Sequence, residues 1–169
     1  FTLKYTQKGQ VYTYQPPLKD VVYVAGVDLG RDNDYSITTI FRRDTCEQVA
    51  LLVGRGDLMI QAAHIAALLG EYNPIASYMD AQGMGMGVYD LLRMRFGARL
   101  IPVKWTSGGT YDKERCVTLG VDRFQNEGWH LMDIQTQRDE FRLFSKTPRG
   151  LHSNGWYYEA PSGGHDDYV

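Results

Sequence analysis

The stretch VVYVAGVDLGRDNDYSI, residues Val21–Ile37, begins as an apolar strand and ends in a polar turn. Residues 21–27 are almost all apolar, a pattern typical of a strand buried on both faces. Asp28 stands where that pattern favours another apolar residue, and a glycine follows it. A buried carboxylate without a partner is costly, so packing does not explain this acid. Asp28 is therefore a candidate functional residue.

Strand and helix patterns alternate along the chain on the carboxyl side of this stretch. Two further strands form an antiparallel meander with the first, and they are followed by helix, strand, helix, strand and helix. The predicted strands are 21–27, 35–41, 48–53, 75–79 and 99–103. The predicted helices begin near 57, 88, 112 and 134, and the helix from 134 is predicted to end at 145. This order predicts an α/β domain with a mixed five-stranded sheet, three antiparallel strands and then two parallel, and helices on both faces.

The two ends of the chain are predicted separately. Residues 1–20 form a lead-in or linker segment, either extended or a short hairpin, and residues 21–169 form the domain. Residues 151–159 alternate around Ser-Asn-Gly, which indicates a hairpin. The last residues predict a loop that opens a final helix. Because the chain begins with Phe1 and stops inside this pattern, we expect it to be a piece of a longer protein.

Composition excludes several classes of protein. The formal net charge is −2, from 18 basic and 20 acidic residues, without the basic surplus of many nucleic-acid binders. The sequence contains no apolar run long enough to span a bilayer. Cys46 and Cys116 lie far apart and the histidines lack ligand spacing, so zinc is not predicted. Lys104, Lys113 and Arg149 are basic residues that could contact phosphates.

Acids at strand ends form the principal candidate site. Asp28 ends the first strand, Asp80 follows the fourth, and Asp166 and Asp167 follow a Gly-Gly loop. If the first and fourth strands are parallel neighbours, Asp28 and Asp80 lie side by side at the edge where α/β sheets place their sites. Converging carboxylates repel one another, and a divalent cation removes that repulsion. Oxygen ligands favour Mg²⁺ or Mn²⁺, and a pair of ions about 3.5–4 Å apart suits phosphodiester hydrolysis.

Structural explanations compete with this prediction. Each acid alone could be a turn or cap residue, as we expect for Asp32 and Asp34. The loop GMGMG, residues 83–87, has the glycines of a dinucleotide-binding loop, but Val88 is too bulky for the third small position. We expect these glycines to let the backbone approach a metal site or a DNA strand. No phosphate-binding loop of the type found in nucleotide-driven motors occurs in the chain.

Three motifs in order resemble one family. GVDLGRDNDYSI (26–37), YMDAQGMGMGVYDLL (78–92) and GGHDDYV (163–169) resemble the nuclease domain of the large terminase subunit of tailed bacteriophages. The resemblance extends from about Val21 to the end of the chain and implies a ribonuclease H-like fold. Asp28, Asp80 and the pair Asp166–Asp167 match the family's metal-binding acids. Many relatives have Glu where this chain has Asp80.

The resemblance implies a divalent-metal-dependent endonuclease that cuts double-stranded viral DNA concatemers during genome packaging. Its implied cofactor is Mg²⁺ or Mn²⁺, with two ions. Its implied partners are an N-terminal ATPase domain of the same protein, the portal and the small terminase subunit, in the host cell cytoplasm and without a membrane. The alternatives are a Holliday-junction resolvase or transposase-like nuclease on the same fold, an actin-like nucleotide-binding module, and a DNA-binding scaffold without catalysis.

Overall fold

A computed structural model gives the fold of the chain, and it describes residues 2–30, 34–82, 85–106, 109–126, 128–143, 145–148 and 156–159. The strands are β1 Thr6–Lys8, β2 Val11–Thr13, β3 Tyr23–Asp28, β4 Ser36–Arg42, β5 Gln48–Gly54, β6 Ala76–Asp80, β7 Leu100–Val103, β8 Ser145–Pro148 and β9 Trp156–Glu159. The α-helices are α1 Leu58–Tyr72, α2 Gly85–Phe96, α3 Lys113–Asn126 and α4 Gln135–Leu143. The predicted alternation of strands and helices is therefore present.

Seven strands form one mixed sheet in the order β1-β2-β5-β4-β3-β6-β7. The five predicted strands, β3 to β7, lie next to one another in this sheet. Strands β3, β4 and β5 form antiparallel pairs, and β6 and β7 run parallel to β3. The two additional strands are a hairpin from the predicted lead-in segment, which pairs with β5. The side chains of β1 are all exposed, so no burial pattern in the sequence marks it as part of the sheet. The predicted division of the chain at residue 20 stays a prediction.

Helix α1 carries the chain from β5 at one side of the sheet to β6 beside β3. Asp57 caps its first turn, because the Asp57 carboxylate accepts hydrogen bonds from the N–H groups of Met59 and Ile60. Asn73 ends it in a left-handed conformation, and Pro74 prevents continuation. A crossover of this kind is what parallel pairing requires, because parallel neighbours cannot be joined by a tight turn.

Hydrophobic cores lie on both faces of the sheet. On one face, α1 and α2 pack on alternate residues of β3, including Ala25 and Val27. On the other face, Ile37 and Leu51 pack with Met132 and Ile134 in the segment that leads into α4. The prediction of helices on both faces is confirmed. Residue alternation in β3 places Asp28 on the same face as Ile37, its partner on β4.

A buried glutamine joins the sheet to the segment before α4. The Gln48 side chain donates through Nε2 to Thr39 Oγ1 at 3.1 Å. Its Oε1 accepts from the backbone N–H of Met132 at 3.0 Å and from Gln137 Nε2 at 3.2 Å. Gln48 and Gln137 are both 2% exposed. Since buried polar groups need partners, this network holds residues 130–137 against the sheet.

Two boundaries near the carboxyl end differ from the prediction. The last helix was predicted to run from 134 to 145, but α4 ends at Leu143 and β8 begins at Ser145. Strand β8 pairs with β9, so the paired strands begin at Ser145, before the hairpin predicted at 151–159. The Ser-Asn-Gly turn and the predicted final helix lie outside the described residues. Helix α2 begins at Gly85, three residues before the predicted start.

None of the helices in the described part of the chain combines the length and the apolar character that a membrane crossing requires.

Replacing Gln48 tests its contribution to stability. Gln48→Met keeps the side-chain volume but leaves the Met132 N–H and the Gln137 amide without their acceptor. We expect the free energy of unfolding to fall by roughly 2–4 kcal/mol, since an unpaired buried polar group costs about 1–3 kcal/mol. Urea denaturation measures it. Gln125→Met, on the exposed side of α3, is the control and should change stability by less than about 0.5 kcal/mol. Equal effects of the two variants would contradict the assigned role.

Candidate functional site

Asp28 and Asp80 lie side by side at the carboxyl ends of two parallel strands. The register of β3 and β6 pairs Val27 with Met79, and the next position of each strand is the acid. Val27 and Met79 point into the core, so the two acids occupy the opposite face. Asp28 is exposed and Asp80 is half-buried. The predicted parallel pairing, which puts the two acids at adjacent positions of one sheet edge, is present. Their role as site residues stays a prediction.

A cavity of about 150 Å³ opens at this edge. It is lined by the two acids, by residues that follow β3 and β6, and by the first residues of α1 and α2: Asp28, Leu29, Gly30, Leu58, Asp80, Gln82 and Gly85. The volume is sufficient for an ion and several waters. Among these lining residues the acids are the charged ones, so the cavity attracts cations.

Glycines allow the backbone to approach closely around the acids. A Cβ atom on Gly30 would lie 2.5 Å from the backbone C and O atoms of Asp34, and one on Gly85 would lie 2.7 Å from the carbonyl oxygen of Asp80. Such distances exclude any other residue unless the backbone shifts. The sequence analysis related the 83–87 glycines to a close approach, and Gly85 makes that approach to the backbone of Asp80. Gly30 was missed, although its position directly after an acid-ended strand is a signal.

Hydrogen bonds orient the carboxylate of Asp80. The backbone N–H of Gln82 donates to Oδ1 at 2.9 Å, and the indole Nε1–H of Trp105 donates to Oδ2 at 3.2 Å. Trp105 follows β7, the strand that pairs with β6 through Asp80 and Val103. The sequence analysis missed Trp105, because only the β6–β7 pairing brings the indole to the acid.

The chemistry of the donors fits a magnesium-type ion. Mg²⁺ is commonly bound by one or two carboxylates, with waters and substrate phosphates in its remaining positions. Asp28 and Asp80 supply two carboxylates beside a cavity that can hold water. Within the described residues, no group of three or more His, Cys, Asp or Glu side chains is close enough to share an ion.

The other predicted acids have different outcomes. Asp166 and Asp167 lie outside the described residues, so their convergence on this edge stays a prediction. Asp32 is also outside them. Asp34 is exposed, and its backbone lies against Gly30 in the turn, as expected for a residue that shapes the loop. The basic residues Lys104 and Lys113 are exposed, and Arg149 is not described.

Comparison with known families identifies the class of this domain. The model of the terminase ribonuclease H-like domain matches residues 25–142, which is more than half of the chain. The chain belongs to this family, and the resemblance inferred from the three motifs is confirmed. The matched range includes Asp28, Asp80 and Trp105 and ends before Asp166. No match was found among curated protein sequences.

Solved structures share the whole fold. The large terminase nuclease of the thermophilic phage G20c with bound magnesium is 24% identical, with a TM-score of 0.85 over 98% of this chain and 86% of that one. Its cobalt-bound form is 25% identical, with a TM-score of 0.81 and the same coverage. The large terminase nuclease domain of Thermus phage P74-26 is 24% identical, with a TM-score of 0.80 over 98% and 84% of the two chains. The ribonuclease H-like fold predicted from the sequence is confirmed.

The close approach at Gly85 can be tested within one helix. Gly85→Ala forces the start of α2 away from Asp80, and we expect a loss of about 1–3 kcal/mol in the free energy of unfolding, as for other overpacked positions. Gly87→Ala is the matched control, because a Cβ there meets nothing within 4 Å. It should leave stability unchanged or raise it by up to about 1 kcal/mol. Chemical denaturation compares them, and an equally stable Gly85→Ala would refute the contact.

Proposed function

We propose that this chain is the nuclease domain of a phage large terminase subunit, a divalent-metal-dependent endonuclease that cuts double-stranded DNA concatemers during genome packaging. The observation that carries the proposal is the adjacency of Asp28 and Asp80 at the carboxyl ends of β3 and β6. Membership in the terminase ribonuclease H-like family supports it independently. The range matched by the family includes both acids.

The proposed cofactor is Mg²⁺ or Mn²⁺. Asp28 would contact two ions and Asp80 one of them, with Asp166 or Asp167 on the other. When bound, such ions neutralise phosphate charge and lower the pKa of a water that attacks phosphorus. The large terminase nuclease of phage G20c has been solved with magnesium, cobalt and zinc, so several ions belong in the test.

In this proposal, residues of the chain place negative charge beside the cavity and hold it in a fixed orientation. Asp28 and Asp80 hold negative charge at the edge of the sheet, and Gln82 and Trp105 fix the orientation of Asp80. A phosphate that approaches a bound ion would enter from the side of the cavity where Asp28 is exposed. Specific base contacts are not required, because phosphate contacts position a duplex without regard to sequence. With a net charge of −2, affinity for DNA would come mainly from other parts of the machine.

The proposed partners follow from the same function. Double-stranded DNA is the substrate, and an ATPase domain in the same protein drives its movement. The portal and the small terminase subunit would complete the packaging machine in the host cell cytoplasm. These assignments rest on membership in the family.

Plasmid nicking tests the nuclease activity. With Mn²⁺, we expect Asp28→Asn and Asp80→Asn each to lower the rate by more than about 100-fold, above the 10–100-fold cost of losing a residue that only supports a metal ligand. Asp90→Asn, an exposed acid on α2, is the control and should cut as fast as wild type. Equal nicking by wild type and Asp28→Asn would overturn the proposal. A strong preference for four-way junctions over linear duplex would instead indicate a resolvase.

Thermal unfolding tests metal binding without DNA. An ion that binds only the folded chain, and is present at a concentration of 100 times its Kd, stabilises the folded chain by about 2.7 kcal/mol. For a domain of this size, that corresponds to a rise in Tm of roughly 5–10 °C. We expect Mn²⁺ to raise the Tm of wild type and of Asp90→Asn, and to have little effect on Asp28→Asn. The same rise in all three proteins would place the ion elsewhere.

A further inference from the structure

We propose that Trp105 is a positioning residue for the metal site, acting through the carboxylate of Asp80. This inference rests on the proposed function, because it concerns how tightly Asp80 holds a divalent ion. The observation behind it is the hydrogen bond from Trp105 Nε1–H to Asp80 Oδ2 at 3.2 Å. That distance is at the long end of the usual range for N–H donors.

The two donors on Asp80 leave room for a cation. Gln82 N–H occupies one lone pair of Oδ1, and Trp105 occupies one lone pair of Oδ2. A carboxylate offers about four acceptor sites, so each oxygen keeps a lone pair to which no other described residue donates. Because the donors come from two different segments, they fix both the position and the rotation of the carboxylate plane. Asp80 is thereby oriented before any ion arrives.

The loop that carries Trp105 is itself held in place. Thr106 N–H donates to the carbonyl oxygen of Tyr111 at 2.9 Å, and Gly109 N–H donates back to Thr106 O at 3.1 Å. The Tyr111 ring packs edge-on against Tyr78, with 6.5 Å between centroids. Tyr78 lies two residues before Asp80 and on the same face of β6. The segment that follows Trp105 is therefore attached to β6 through Tyr111 and Tyr78, which gives Trp105 a fixed base from which to reach Asp80.

Loss of the Trp105 indole N–H has two effects of opposite sign on the affinity for a metal ion. Without the donor, a second lone pair of Oδ2 becomes available to a cation. The carboxylate also becomes free to rotate, and binding must then restrict it. Loss of a group that orients a metal ligand typically lowers affinity by about 10–100-fold, so the loss of orientation dominates. We expect Trp105→Phe to weaken Mn²⁺ binding by that factor.

Trp129 provides a matched control. It packs against Phe41 with 5.6 Å between ring centroids, and Phe41 pairs with Val24, at the other end of β3 from Asp28. Trp129→Phe makes the same chemical change away from the cavity. Calorimetry of Mn²⁺ binding without DNA compares the two variants with wild type, and the absence of DNA removes any effect of aromatic stacking on bases. Trp129→Phe should bind as wild type does.

Nuclear magnetic resonance of the indole N–H groups tests the hydrogen bond without metal. The chain has three tryptophans, and Trp105→Phe identifies the signal of Trp105 by its loss. Asp80→Ala removes the acceptor and should shift that signal while the Trp129 signal stays in place. If the Trp105 signal does not move, the hydrogen bond is absent in solution and the inference is overturned.

The outcomes separate this inference from the proposed function. If wild type does not bind Mn²⁺, and Mn²⁺ broadens none of the indole signals, the proposed metal site fails and the role of Trp105 fails with it. If wild type binds Mn²⁺ but Trp105→Phe binds within about twofold, only the positioning role is refuted. If Trp105→Phe alone is weakened 10–100-fold, both are supported.

Discussion

The parallel pairing of β3 with β6 is the constraint on which the rest of this structure depends. It places Asp28 and Asp80, which are far apart in the sequence, at adjacent positions of one sheet edge. The pairing requires a crossover, which α1 provides by packing on the core face of the sheet. The same pairing thus organises the fold and supplies the two adjacent acids on which the proposed metal site rests.

The surroundings of the two acids are built mainly from backbone. Gly30 and Gly85 let neighbouring chain segments come within distances that a side chain would forbid. The start of α2 therefore lies directly against the end of β6, and the N-terminal ends of α1 and α2 both border the cavity. The partial positive charge at helix N-termini stabilises carboxylates nearby. The Trp105 side chain, just after β7, donates a hydrogen bond to Asp80. This contact links the orientation of Asp80 to the position of β7, the last strand of the sheet.

Prediction from sequence succeeded where periodicity and capping agree. The buried strand before Asp28 and the helix that starts at Asp57 both carry strong local signals, and both occur as expected. The sequence-based prediction was incomplete where the side chains of a strand are exposed. Strand β1 is wholly exposed, so its membership of the sheet depends on pairing rather than on pattern. It was wrong at the end of α4, because the chain turns into β8 at Ser145 to pair with β9, a distant segment.

The sequence by itself determined the class of the domain and its two central acids, because apolar strands that end in a carboxylate are visible locally and the order of motifs is specific. It also indicated that glycines would bring backbone close to the site. Only the tertiary structure decided that Asp28 and Asp80 are neighbours, that Gly30 and Gly85 contact backbone, and that Trp105 donates to Asp80. The physical reason is that strand order and register arise from pairing between distant segments, and no local pattern records which strands become neighbours.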